Sequence, residues 1–137
     1  MIRRLLFALC IFFFLTSCRK ESITHLVICQ TTDIHGAYFD SLYTGGVANA
    51  TSLANVSSYI KSLMKEGIDP ILIDCGDNVQ GDLAAYYYNY KDVKSKHLFL
   101  QMAKYLGYDA LIVGNHDIEA GHGVYDRFKM QRRIPYL

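Results

Sequence analysis

Tryptophan is absent, only two prolines and four cysteines occur in 137 residues, and the net charge is just +1. The near-neutral balance argues against a nucleic-acid polymer as partner, since such a partner calls for a basic patch or stripe. Without Arg3 and Arg4, which fall in a leader discussed below, the balance turns slightly acidic. No internal repeat or low-complexity tract breaks the chain, and no apolar run reaches the roughly 20 residues that span a hydrocarbon core. What remains is 51% hydrophobic and 20% charged, the composition of a soluble globular domain.

The scarcity of cysteine also bears on the compartment. Cys10 lies in the leader, and Cys18 closes it. Cys29 and Cys75 each fall in an apolar run that reads as a buried strand, where a thiol behaves as a small hydrophobe. Reduced core cysteines are the expectation, with a disulfide as the lesser alternative.

Residues 1–18 read as a targeting segment rather than as fold. Arg3 and Arg4 form a positive start, Leu5 to Leu15 a short apolar run, and Leu15-Thr16-Ser17-Cys18 a bacterial lipobox. The small pair suits a peptidase cleft, and the Cys18 thiol can carry a diacylglycerol group. An ordinary signal peptide with an incidental cysteine and a single membrane helix are the other two readings. The lipobox reading expects a lipid-anchored protein of the bacterial cell envelope, periplasmic or outer-membrane-associated. Residues 19–24 are a polar tether.

From residue 25 the pattern is regular. His25 to Gln30 is a β-branched run that reads as a strand, ending in the polar turn Thr31 to Gly36. Apolar residues at helical spacing then run from about Gly46 to Lys65, stopped by Gly67. Pro70 to Cys75 is a second strand, ending in Gly76-Asp77. A tyrosine-rich stretch, Ala85 to Tyr90, precedes a helix near His97 to Leu106, stopped by Gly107. Ala110 to Val113 is a third strand, ending in Gly114-Asn115-His116-Asp117, and Val124 to Gln131 starts a third helix. Continuous apolar strands alternating with helices predict an α/β fold with covered, largely parallel pairing. Arg132 to Leu137 reads as the approach to a fourth strand, so a truncated gene is the expectation.

Each strand is followed at its carboxyl end by residues able to hold a metal. Open α/β sheets place their sites outside those ends, so the three clusters are expected to converge. Asp33 and His35 alternate and can share a face. The glycine before Asp77 permits a close backbone approach. Carboxylate, imidazole and the Asn115 amide form a mixed donor set suited to Zn, Mn or Fe more than to Ca. Two such cations about 3.5–4 Å apart can clamp a phosphoryl group and activate water, with Asp77 able to bridge them. His116 could protonate the leaving alkoxide or hydrogen-bond the phosphate. Taken singly, Asp-x-His reads as a surface turn, Gly-Asp as a turn signal and Gly-Asn-His-Asp as a helix cap. Their order and their shared position at strand ends point to chemistry instead.

The set Asp33-x-His35, Gly76-Asp77 and Gly114-Asn115-His116-Asp117 resembles the first three signature blocks of the calcineurin-like metallophosphoesterases. Thr32 to Gly36, Gly45-Gly46 opening a helix, Asp77-x-x-Gln80-Gly81 and Gly107 to Ala110 are similar to the 5'-nucleotidase and 2',3'-cyclic-nucleotide phosphodiesterase branch. The resemblance covers nearly all of the chain after Cys18 and implies an incomplete metallophosphoesterase sandwich over residues 25–137. It also implies hydrolysis of nucleotide phosphoesters outside the cytoplasm with two divalent metal ions. By position it gives Asp33 and His35 the first metal, Asp77 the bridge, Asn115 the second metal and His116 catalysis. Glu119 stands where the family often has an aspartate supporting that histidine. The family's later Gly-His-x-His block is absent, and His122 comes too soon to supply it. The second metal is left with Asp77 and Asn115, so this chain alone is expected to bind metal weakly and be nearly inactive. His25, His97 and His122 read as structural or loop residues. A non-catalytic envelope lipoprotein is the competing reading, and a phosphatase acting on proteins or sugars a third.

Overall fold

A computed structural model describes residues 23–137, so the expected leader with Cys18, and most of the tether, lie outside the described residues. The elements are β1 (Ile28–Thr31), α1 (Leu53–Lys65), β2 (Ile71–Asp74), α2 (Leu83–Tyr90), α3 (Leu98–Leu106), β3 (Ala110–Leu111), α4 (Asn115–Glu119) and α5 (His122–Gln131). The strands pair in chain order, β1-β2-β3, and both pairings are parallel. This is the expected α/β class. Tyr136 bridges Leu111 in parallel on the outer side of β3, so the last residues run as a fourth strand would. No helix among the described residues is long and apolar enough to cross a membrane.

The register divides the sheet into two unlike faces. Leu72, Asp74 and Leu111 point to one side and are buried. There they meet the core formed by Leu53 and Ile60 of α1, Phe99, Leu100 and Ala103 of α3, and Val124 and Phe128 of α5. The opposite face carries Ile28, 59% exposed, and Ile112, 38% exposed. Continuous apolar strands predict cover on both faces, but among the described residues only one face has it. Apolar side chains alone do not tell which face its helices reach.

Several boundaries differ from expectation: β1 starts at Ile28 rather than His25 and α5 at His122 rather than Val124, and other differences have a local reason. The first helix starts at Leu53 rather than Gly46, because Gly45 and Gly46 both take left-handed backbone, with φ of 87° and 61°. Instead of opening the helix they turn a small hairpin, in which Leu42 N–H donates to Val47 O at 2.8 Å. Ser52 caps the helix through its side chain, which accepts from Asn55 N–H. The tyrosine-rich stretch is helix α2, capped by Asp82; its run of aromatics hides the helical period. The third strand is two residues long rather than four. Cys29 and Cys75 are free, as expected, but half-buried rather than core residues.

His97 is structural, as expected, and is fully buried as the cap of α3. Its Nδ1 accepts from Phe99 N–H at 3.2 Å, so the proton sits on Nε2, which donates to Asn89 Oδ1 at 3.1 Å. Asn89 in turn donates to Val79 O at 2.6 Å, tying α2 and α3 to the loop after β2. Burial, with help from the nearby Arg127 charge, holds the His97 pKa down to about 3. The unfolded chain binds this proton more tightly, near pH 6.5. Stability from His97 is therefore complete above about 6.5 and falls as pH drops toward about 3, by up to about 1.4 kcal/mol per pH unit. Urea unfolding between pH 7 and 4 measures that slope, and His97→Gln, which keeps a donor and an acceptor but not the titration, flattens it.

Candidate metal centre

Three turns at the carboxyl ends of the strands meet edge to edge. Asp33 N–H donates to Gly76 O at 3.0 Å, His35 N–H to Asp77 O at 2.9 Å and Gly36 N–H to Asn78 O at 3.1 Å. The turn after β1 is thus zipped along the turn after β2. Beneath them Asp74, fully buried, accepts from Thr31 Oγ1 at 2.6 Å, Gly76 N–H at 2.9 Å and the Asn78 amide. Burial raises the pKa of Asp74 against the opposing pull of those donors.

The third turn is locked in by Asp117, a residue 3% exposed. Its Oδ1 accepts from Asn78 N–H at 2.8 Å and Val79 N–H at 3.1 Å. Its Oδ2 accepts from Asp77 N–H at 2.9 Å and Gly114 N–H at 3.0 Å. Asp77 reciprocates, its Oδ1 accepting from His116 N–H at 2.8 Å. Gly114 has to be glycine, since a Cβ there would collide with the Asp77 carboxylate.

This packing brings together three of the expected site residues, His35, Asp77 and His116. Donor atoms of His35, Asp77 and His116 lie within 4.8 Å of one another. Asp33 Oδ1 is 3.6 Å from His35 Nε2, and the two imidazole rings are 5.3 Å apart. Asn115 opens α4 directly before His116. Asp33, His35 and Asp77 are the only non-glycine residues among those described with left-handed backbone, at φ of 54°, 47° and 60°. Such conformations cost of order 1–3 kcal/mol each and concentrate at functional sites. His35 is oriented by Gln80, whose carbonyl at 3.2 Å can only accept, so Nδ1 carries the proton and Nε2 is left to face Asp33.

His116 meets Glu119 one helical turn on. Glu119 Oε2 lies 3.0 Å from His116 Nδ1, off the line of the ring N–H, and takes a hydrogen bond from Gln80 Nε2 at 2.8 Å. The Glu119 carboxylate is the main cause that raises the His116 pKa, with Asp77 and Asp33 adding to it. The Glu119 pKa is lowered in return. The glutamate thus reaches the histidine despite its extra methylene. Gln80 and Asp117 are the two residues whose parts sequence reasoning missed. An acid at the third position of a helix behind a glycine is a capping signal that could have found Asp117.

The donor set fits a divalent cation. Imidazoles and carboxylates suit Zn, Mn or Fe. Among the described residues the ion-pair contacts of Asp33 and Glu119 are to histidines, with no lysine or arginine to neutralise the cluster.

The chain belongs to the calcineurin-like phosphoesterase family, which it matches over residues 26–137. It is 29% identical over 124 residues to the 5'-nucleotidase of Rattus norvegicus, covering 82% of this chain and 19% of that protein. It is 24% identical over 125 residues to the 2',3'-cyclic-nucleotide 2'-phosphodiesterase/3'-nucleotidase of Yersinia enterocolitica, covering 89% of this chain and 19% of that one. The calcineurin-like phosphoesterase YfkN from Bacillus subtilis superposes with a TM-score of 0.71 at 27% identity, over 82% of this chain and 36% of that chain. The chain therefore spans about a fifth of the length of the nucleotidases it matches.

Two measurements check the geometry. Asp117→Asn removes the charge and turns an amide donor toward backbone N–H groups, so urea unfolding shows a loss of about 3 kcal/mol. Asp126→Asn, at an exposed pair with His122, changes stability by less than about 0.5 kcal/mol. In the metal-free protein His116 titrates above the ordinary imidazole value near 6.5, and Glu119→Gln lowers it. A midpoint that NMR finds unmoved by that substitution contradicts the contact.

Proposed function

We propose that this chain forms the metal-binding front of a hydrolase that cleaves phosphate esters of nucleotides, of the 5'-nucleotidase or 2',3'-cyclic-nucleotide phosphodiesterase type. The observation that carries the reading is the meeting of His35, Asp77 and His116 donor atoms from three separate turns. Family membership supports phosphoester chemistry, and the nucleotidases among the relatives favour nucleotide substrates.

In this reading Asp33 and His35 would hold one divalent cation, Asn115 would hold a second, and Asp77 would serve both. When bound, such ions supply Lewis-acid activation of water and neutralise charge on the phosphoryl oxygens. The chain's own residues do the rest. Gln80 keeps the His35 proton on Nδ1, so that Nε2 is free to ligate. The Glu119 carboxylate beside it favours the protonated form of His116, which suits that ring to pass a proton to the leaving alkoxide or to hydrogen-bond the phosphate. With the donors of these 137 residues alone, the second cation finds only Asp77 and Asn115. Low metal affinity and low turnover are therefore expected of this chain by itself. The Leu15-Thr16-Ser17-Cys18 pattern supports a lipid on Cys18 and an envelope location.

The same short donor set favours one competitor, a non-catalytic envelope lipoprotein that retains metal or phosphate binding. Assay of the full-length gene product with AMP, 2',3'-cyclic AMP and p-nitrophenyl phosphate separates the two. Phosphate release that requires Mn or Zn and stops with chelator is expected. His116→Asn should lower kcat about 10²–10⁴-fold, the usual weight of a proton donor, while bound metal persists. Metal binding with no turnover of any substrate selects the competitor.

A further inference from the structure

We propose that Gln80 is a positioning residue for His116: its side-chain amide holds the Glu119 carboxylate against the imidazole, while its main-chain carbonyl orients His35. The proposal rests on the hydrolase reading above and deepens it by naming the residue that sets the carboxylate behind the histidine.

The main chain of Gln80 is fixed first. Its carbonyl accepts from His35 Nδ1 at 3.2 Å, and two residues on Asp82 N–H donates to His35 O at 2.9 Å. Residues 80–82 thus grip His35 both by its ring and by its main chain. Gly81 permits this approach, because a Cβ there would collide with the His35 carbonyl, and its φ of 121° is one that other residues rarely adopt. With the main chain held, the side chain of Gln80 decides what else it touches. It reaches α4.

Glu119 needs such a partner. It is the last residue of a five-residue helix, its side chain is half exposed, and among the described residues no lysine or arginine pairs with it. Three torsions separate its carboxylate from the backbone, so many of its rotamers miss His116. The contact with His116 Nδ1 lies off the line of the ring N–H, so it does not by itself hold the carboxylate in place. Gln80 Nε2 donates at 2.8 Å to Oε2, the same oxygen that lies 3.0 Å from His116 Nδ1. An amide fixes that oxygen without neutralising it, whereas a lysine or arginine would compete with the imidazole for its charge. Gln80 therefore acts through Glu119, and one residue couples the turn that carries His35 to the helix that carries His116.

Gln80→Met tests this, because it keeps the length of the side chain, removes the donor and leaves the main-chain carbonyl at His35. In the Mn-loaded full-length gene product it should lower kcat for AMP roughly 10-fold, the scale of losing an outer-shell partner, with KM and Mn affinity unchanged. A merely structural role would instead cost folded protein or bound Mn. On a Glu119→Ala background Gln80→Met should have no further effect, since the group it positions is gone. An unchanged kcat in the single variant, or an equal loss on both backgrounds, overturns the proposal. If wild-type protein turns over no substrate, the hydrolase reading fails and the positioning is read from crystals of Gln80→Met. Glu119 turned away from His116 supports the proposal there, and Glu119 still in contact with His116 overturns it.

Discussion

Four backbone N–H groups converge on the Asp117 carboxylate, three from the turn after β2 and one from Gly114 after β3. A buried N–H group without an acceptor costs about 1–3 kcal/mol, so one carboxylate decides whether these two turns can lie side by side. Asp77 depends on this directly. Its N–H is held by Asp117 while its own carboxylate caps the His116 N–H. The crossed pair fixes where the Asp77 carboxylate stands relative to His116 before any cation arrives.

Asp33 and His35 come from the first turn, and it is strained. Asp33, His35 and Asp77 adopt backbone that side chains other than glycine's rarely take. The zipper of backbone hydrogen bonds between residues 33–36 and 76–78 holds them there. It also aims His35 and Asp77 at the small volume they share with His116. Preorganisation of this kind lets a site bind a cation without first rearranging. It also explains why the stabilising groups lie behind the site, in Asp74, Asn78 and Asp117, all buried. Tyr38, buried beneath, adds a hydrogen bond from its hydroxyl to Asn78 O at 2.9 Å.

Much of this was legible in the sequence. Apolar runs that end in polar clusters located β1, β2 and β3 and put Asp33, His35, Asp77, Asn115 and His116 at one rim. That inference works because parallel strands must all present their carboxyl ends to the same side. Buried polar wiring was harder to read. Asp117 looks like one more acid next to a histidine until its four amide partners are seen, and Gln80 acts partly through its main-chain carbonyl, which any residue possesses. The start of α1 was misread because Val47 and Ala50 fit a helical period by chance, while Gly45 and Gly46 require a turn. Helix α2 was hidden because tyrosines on every face blur the period. That the isoleucine face lies uncovered among the described residues is a matter of what packs on what, and strand composition does not encode that.

The central claim is that the turns after the three strands build one divalent-cation site from His35 and Asp77, with His116 at its edge. Anomalous diffraction from crystals of the full-length gene product grown with Mn tests it most directly. The account predicts a Mn peak within direct bonding distance of His35 and Asp77. Saturating Mn with no peak there, or a peak bound only by other residues, would contradict it.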